Sequence, residues 1–285
     1  MAVVVQGGVA FWISSFTPYV GAVSRISTDG GAVTTLVSGM DALELVVDDT
    51  HVYWTDTSGQ GFVQKIPLSG GEKVDLASGF YDPFGLGIVN ERVYFVAGDG
   101  SLMSVSKTGG DQRVEVSREG RYGGGNLVTT ASHVYWVVLD YDMNKYEIVS
   151  AAFPGLEPIV VASQGNSIGE IAVNDTYLFW ADMGSGGGAT DGRIMRMRLD
   201  DRSITALAAD VGRAAGITVD AGHVYWTNIR KAGTGTVGKV PIEGSEVTIL
   251  ADCLDGPNDI AVDDTHVYWT NLGGHFGGSL MRTPK

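Results

Sequence analysis

Glu44, Asn126, Glu170 and Asp259 share one address in this 285-residue chain: each stands ten residues before a tryptophan that follows Tyr or Phe. Ala2, Gly216 and, in the third place of the series, Gly85 or Leu86 hold the same position. Carboxylate and amide oxygens are the hard donors that Ca2+ prefers, so four of them converging on one axis would make a calcium site able to polarise a carbonyl. The competing reading is a water-filled mouth lined by solvated polar groups. Imidazole chemistry is narrower. His51, His133, His223 and His266 each open the tetrapeptide His-Val-Tyr-Trp, and a residue repeated at one architectural position reads as structural. Acid–base catalysis then falls to His275, which stands alone in a variable stretch, or to Asp82, and a zinc site of several histidines has no support. The ring-bearing residues outside the repeat, Phe16, Tyr19, Tyr81, Phe84, Tyr122, Tyr141, Tyr146 and Phe276, join His275 as the expected ligand-binding set, because exposed aromatics beside polar groups are the composition of binding sites. The alternative is that these rings plug a channel.

Other motifs carry less. There is no Gly-x-Ser-x-Gly elbow and no phosphate-binding loop; Gly184–Gly188 lacks the Lys-Ser/Thr ending and reads as a linker-like loop. Asp140, Asp142 and Asn144 start like an EF-type calcium loop, but Lys145 and Ala151 occupy the places that need Gly and Glu.

The elements that must position these residues are set by a repeat. The motif ends at Trp12, Trp54, Phe95, Trp136, Trp180, Trp226 and Trp269, at steps of 42, 41, 41, 44, 46 and 43 residues. A fixed period in this range signals a solenoid, propeller or array. In the second unit, the runs 43–48, 51–56, 61–67 and 73–77 are short, apolar and separated by turn residues such as Ser69-Gly70-Gly71. Helical periodicity is missing. Four strands per unit predict an all-β fold, a seven-bladed β-propeller in one domain over 1–285, with blades at about 1–40, 41–81, 82–123, 124–166, 167–213, 214–256 and 257–285. Val-Tyr-Trp is apolar on both faces of its strand, as a blade sandwiched between neighbours requires. Residue 1 aligns inside the innermost strand of blade one, and the last blade runs out before a fourth strand, so a longer natural N-terminus supplying that strand is the favoured expectation. Loops after each motif and the connectors between blades fall on one face, the expected binding surface.

Composition sets limits. Thirty-three acidic against nineteen basic residues give a net charge of −14, which disfavours a nucleic-acid partner and favours solubility or attraction for cations. No run is long enough to span a membrane as a helix. The single cysteine, Cys253, cannot form an internal disulfide and reads as a small buried apolar residue.

Asp48 with Val52-Tyr-Trp-Thr-Asp56, and Ile260-Ala-Val-Asp263 with His266-Val-Tyr-Trp-Thr-Asn271, resemble the YWTD β-propeller family of lipoprotein receptors, over nearly the whole chain. The resemblance implies a propeller and a secreted or cell-envelope location. It departs in count, seven blades rather than six, and in lacking disulfide-rich flanks, so receptor function does not carry over. The polar ring at Glu44, Asn126, Glu170 and Asp259 is similar to the axial calcium site of gluconolactonase- and paraoxonase-type propellers, which implies a calcium-dependent, lactonase-like hydrolase as the alternative function. The favoured expectation is a non-enzymatic binding or scaffold module that presents variable loops to a protein, glycan or small-molecule ligand; a structural spacer is the third reading.

Overall fold

The computed structural model describes residues 1–14, 21–118, 121–185, 190–229, 233–272 and 278–285. Regular structure in them is entirely extended, without a helix. The strands form six four-stranded sheets and one three-stranded sheet, each in sequential order. The protein is therefore a seven-bladed β-propeller whose last blade has three strands. The chain divides into two compact units, Gln6–Gly165 and Asn166–Lys285 with Met1–Val5. The first carries blades two to four and most of blade one; the second carries blades five to seven.

Blade two shows how the repeat folds, with strands Ala42–Val47, His51–Asp56, Phe62–Pro67 and Val74–Ser78. Its first turn is locked by one carboxylate. Asp48 Oδ1 accepts from Thr50 N and His51 N, each at 2.9 Å, and Oδ2 accepts from the Tyr53 hydroxyl at 2.9 Å. Asp220 and Asp263 repeat the arrangement with Tyr225 and Tyr268. The repeated histidines belong to this turn: the Nδ1 atoms of His51, His133 and His266 lie 2.7–2.9 Å from the hydroxyls of Thr50, Ser132 and Thr265.

Side chains alternate across a strand, so consecutive motif residues face opposite neighbours. Tyr53 packs with Phe95 of blade three, and Tyr94 of blade three packs with Trp136 of blade four. In the other unit Phe179 packs with Trp226, and Tyr225 with Trp269. Tyr and Trp are thus both buried, one against each adjoining blade.

Two local departures bear on function. In blades two to seven the innermost strand loses register at the same place, for instance between Ala42 and Leu45 or between Pro257 and Ile260. This is a β-bulge, which re-aims a side chain and leaves it outside the ladder. The residues ten before each motif end sit in these bulges, within the strand rather than at its start. In blade three the bulged residue is Gly85, because Leu86 pairs with Phe95. The threonine after the motif Trp holds the bulge: Thr55, Thr227 and Thr270 accept from the backbone N of Glu44, Gly216 and Asp259 at 3.0–3.3 Å.

Cys253 corrects an expectation. It is exposed, because a bulge in strand Thr248–Leu254 leaves it unpaired at a φ of +55° and turns it away from the blade.

Candidate functional site

In the second unit Glu170 and Asp259 meet. Asp259 is buried, accepts from Val3 N through Oδ2 and from Ile260 N through Oδ1, both at 2.6 Å, and is hydrogen-bonded to the Glu170 side chain. Glu170 Oε2 accepts from Ile217 N at 3.2 Å. Two carboxyl groups in hydrogen-bond contact share a proton, and burial pushes the Asp259 carboxyl above its ordinary range. Two of the four oxygen-bearing residues expected to ring a calcium ion are thus brought into side-chain contact. Glu44 and Asn126 belong to the other unit. Among the described residues no three His, Cys, Asp or Glu side chains are grouped so as to hold a metal ion.

The first unit carries a notch of about 620 Å³ over blade three. It sits where the strands are unequal: Arg92–Val96 and Leu102–Ser106 of blade three have five residues each, whereas His133–Asp140 and Lys145–Ala152 of blade four have eight. Phe80 and Tyr81 come to it from the connector into blade three, Arg121 and Tyr122 from the start of blade four's strand Arg121–Thr129, and Asp99 from the blade-three hairpin loop.

Aromatic side chains crowd this rim. The Tyr122 ring meets Tyr141 edge-on at 5.8 Å and lies 6.3 Å from Phe84. Its hydroxyl is hydrogen-bonded to Tyr81 and donates to Asp82 Oδ2 at 3.3 Å. Desolvation and these bonds push the Tyr122 phenol up to about 12. Arg121 Nη1 is 2.8 Å from buried Asp140 Oδ2, and Arg118 Nη2 is 3.1 Å from Glu147 Oε2. Of the expected ligand-binding residues, Tyr81 and Tyr122 line the notch, and Phe84 and Tyr141 buttress Tyr122. Tyr146 is half-buried beside the turn of the blade-four hairpin and is not part of the lining. Phe16, Tyr19, His275 and Phe276 lie outside the described residues. Arg121, which precedes Tyr122 in the stretch expected on the binding face, lines the notch as well; sequence reasoning missed Asp99.

The notch offers rings, carboxylates and a paired guanidinium. His51 and His133, the imidazoles described in this unit, open the second strands of their blades, at the end opposite the loops that frame the notch.

No family model matches the chain, and no curated protein matches it. Solved structures do. A chain of a nidogen/laminin complex aligns at a TM-score of 0.63 and 16% identity, covering 85% of this chain and 92% of that one. A puromycin-hydrolyzing peptidase of Mycobacterium tuberculosis aligns at 0.74 and 14% identity over 99% of this chain and 50% of its own. An oligogalacturonate lyase in complex with manganese aligns at 0.68 and 11% identity, covering 99% and 83%. The chain thus spans about half the length of the peptidase. At these identities the shared property is the fold, and a fold of this kind carries both binding proteins and enzymes.

Proposed function

We propose that this chain is a binding module whose ligand site is the notch over blade three. The observation that supports it is the convergence of Tyr81, Tyr122 and Asp99, from a connector, a strand end and a hairpin loop, around a volume in the range of small-molecule and peptide sites, with Asp82 bonded to the Tyr122 hydroxyl. The site is held by backbone as well as side chains: Gly98 N donates to Tyr81 O at 2.8 Å, and Asp99 Oδ1 accepts from Ser101 N at 2.9 Å. A nucleophile activated by an imidazole, the arrangement hydrolytic chemistry uses, is not among the groups described at the notch.

A fragment screen by ligand-observed NMR tests the reading. Fragments should bind the protein and lose binding in a Tyr81→Ala/Tyr122→Ala variant of unchanged fold. Fragments indifferent to both substitutions would place binding elsewhere. The hydrolase alternative is checked in parallel with lactone substrates, with and without calcium; calcium-dependent turnover lost in Asp259→Asn would overturn the binding reading.

A further inference from the structure

We propose that the notch over blade three takes an organic cation on an aliphatic stem, the side chain of a lysine or arginine in a basic peptide segment. This names the ligand class of the site above and rests on that reading.

The first observation is the chemistry of the rim. Tyr81 is 74% exposed, so its ring meets solvent rather than protein, and it stands beside Tyr122. Aromatic faces attract ammonium and guanidinium groups within about 6 Å of the ring centre. Because the hydroxyls of Tyr81 and Tyr122 bond to each other and to Asp82, the rings are fixed as a pair.

The second is charge. Among the described residues neither Asp82 nor Asp99 has an ion-pair partner, whereas Arg121 is held by Asp140 and Glu147, and Arg118 by Glu147. The basic groups beside the notch are already neutralised, and the acidic ones are not. Asp82 is fixed through Oδ2 by Tyr122, and Asp99 through Oδ1 by Ser101 N. Asp99 lines the notch, and Asp82 adjoins it through the Tyr122 hydroxyl. The net charge of −14 adds long-range attraction for a basic partner.

The third is the far wall. Phe80, Met103 and Val114 also line the notch, and Val114 is 62% exposed. An inorganic cation has no use for that surface; a methylene stem does. A volume near 620 Å³ exceeds one lysine side chain and leaves room for flanking residues.

The wall is also built to close tolerance. A Cβ on Gly98 would stand 2.5 Å from Tyr81 O and 2.8 Å from its Cδ1, and one on Gly100 would stand 2.9 Å from Arg121 Cβ. Gly98 lets one edge of the otherwise exposed Tyr81 ring rest on the loop, and Gly100 lets the start of the Arg121 strand approach it. Asp82 sits at a φ of +42°, a left-handed conformation that Asp tolerates better than most residues.

Calorimetry with matched probes tests the proposal: the peptide acetyl-Gly-Lys-Leu-Lys-Gly-amide, its counterpart with both lysines replaced by glutamates, and n-butylammonium, n-butanol and butyrate. The lysine peptide should bind at least tenfold more tightly than the glutamate peptide, and n-butylammonium should compete where butyrate does not. Raising salt from about 20 to 200 mM should weaken binding. Tyr81→Ala and Asp82→Asn should each weaken it fivefold or more, with Tyr81→Phe retaining most of the affinity as the folding control. Equal or better binding of the glutamate peptide or butyrate, lost in Tyr81→Ala, would overturn the cation class while keeping the notch a ligand site. Butylammonium binding as tightly as the peptide would overturn the peptide assignment. Silence from every probe would overturn the proposal, with the fragment screen then deciding the broader reading independently.

Discussion

Single carboxyl groups in this protein titrate in opposite senses, and each sense predicts a different pH response. Asp48, Asp220 and Asp263 are held below the ordinary carboxylate range by the hydrogen bonds they accept, against the opposing pull of desolvation, with Asp263 at about 2. Groups depressed on folding contribute stability that is present above the unfolded value, about 4, and lost as pH falls through the folded one. Asp48→Asn should cost about 1 kcal/mol at pH 7, a figure kept small because the turn is partly solvated. Urea unfolding should show that cost shrinking between about pH 4 and 2, and a cost constant with pH would count against the turn as its origin. Asp259 runs the other way. Burial raises its carboxyl, so its contribution is present below the unfolded value and lost as pH rises through the folded one. Asp259→Asn keeps an acceptor for one of the two backbone N–H groups that Asp259 holds and turns an amide N–H toward the other. It should lower Tm at pH 4 and cost less at pH 8, where the aspartate's own contribution is lost. A cost that grows toward pH 8 would mean that the ionised form is wanted there, as a bound cation would require.

At the scale of strands and turns, blade seven is the informative exception. The residue paired with the motif aromatic in the third strand is buried in most blades, as Gln64, Met103 and Val149 are, and half-buried at Met195, yet its equivalent Met281 is 41% exposed. What covers the others is the fourth strand. Adding one after Lys285, through a two-glycine turn and a copy of residues 247–254, should bury Met281 and raise Tm by several degrees, since an extra paired strand satisfies an open edge. An unchanged Tm with Met281 still oxidised readily by peroxide would show that the edge does not accept it. A second prediction lies in the interblade layer: Trp226→Ala removes a fully buried ring packed against Phe179 and should cost about 3–5 kcal/mol in chemical unfolding. These elements were legible in the sequence because each is stated seven times over, and repetition separates pattern from accident. Cys253 and Gly85 were not, because a bulge inserts a residue without changing the hydrophobic pattern around it. The notch was half legible. Tyr81 and Tyr122 stood out as rings outside the repeat, but Asp99 acquires meaning only from the folding of its hairpin loop toward them, which residue types do not state.

For the molecule as a whole, a net charge of −14 makes the folded state repel itself at low ionic strength. Raising salt from about 10 to 300 mM shortens the screening length from about 30 Å to less than 10 Å and should raise Tm, by about 2–4 °C for each kcal/mol of repulsion removed. A Tm that falls with salt would show that favourable ion pairs such as Arg118–Glu147 outweigh the net repulsion. The bulges have a consequence at this scale too. Every other core-facing position is tied to a ladder partner, so changing it renegotiates the blade. The bulged position has no ladder partner, and in blades two, six and seven the same threonine holds its backbone N–H. Its residue varies, through Glu, Gly, Asn, Glu, Gly and Asp in blades two to seven. Each choice is bound to its own surroundings: a Cβ on Gly85 would stand 2.7 Å from Leu127 N and one on Gly216 would collide with Asn258 O, while Glu170 and Asp259 accept from backbone N–H groups of adjoining strands. The repeat thus leaves one place per blade free to differ, and each blade has used it to fit its own neighbour, so exchanging these residues between blades should destabilise the protein.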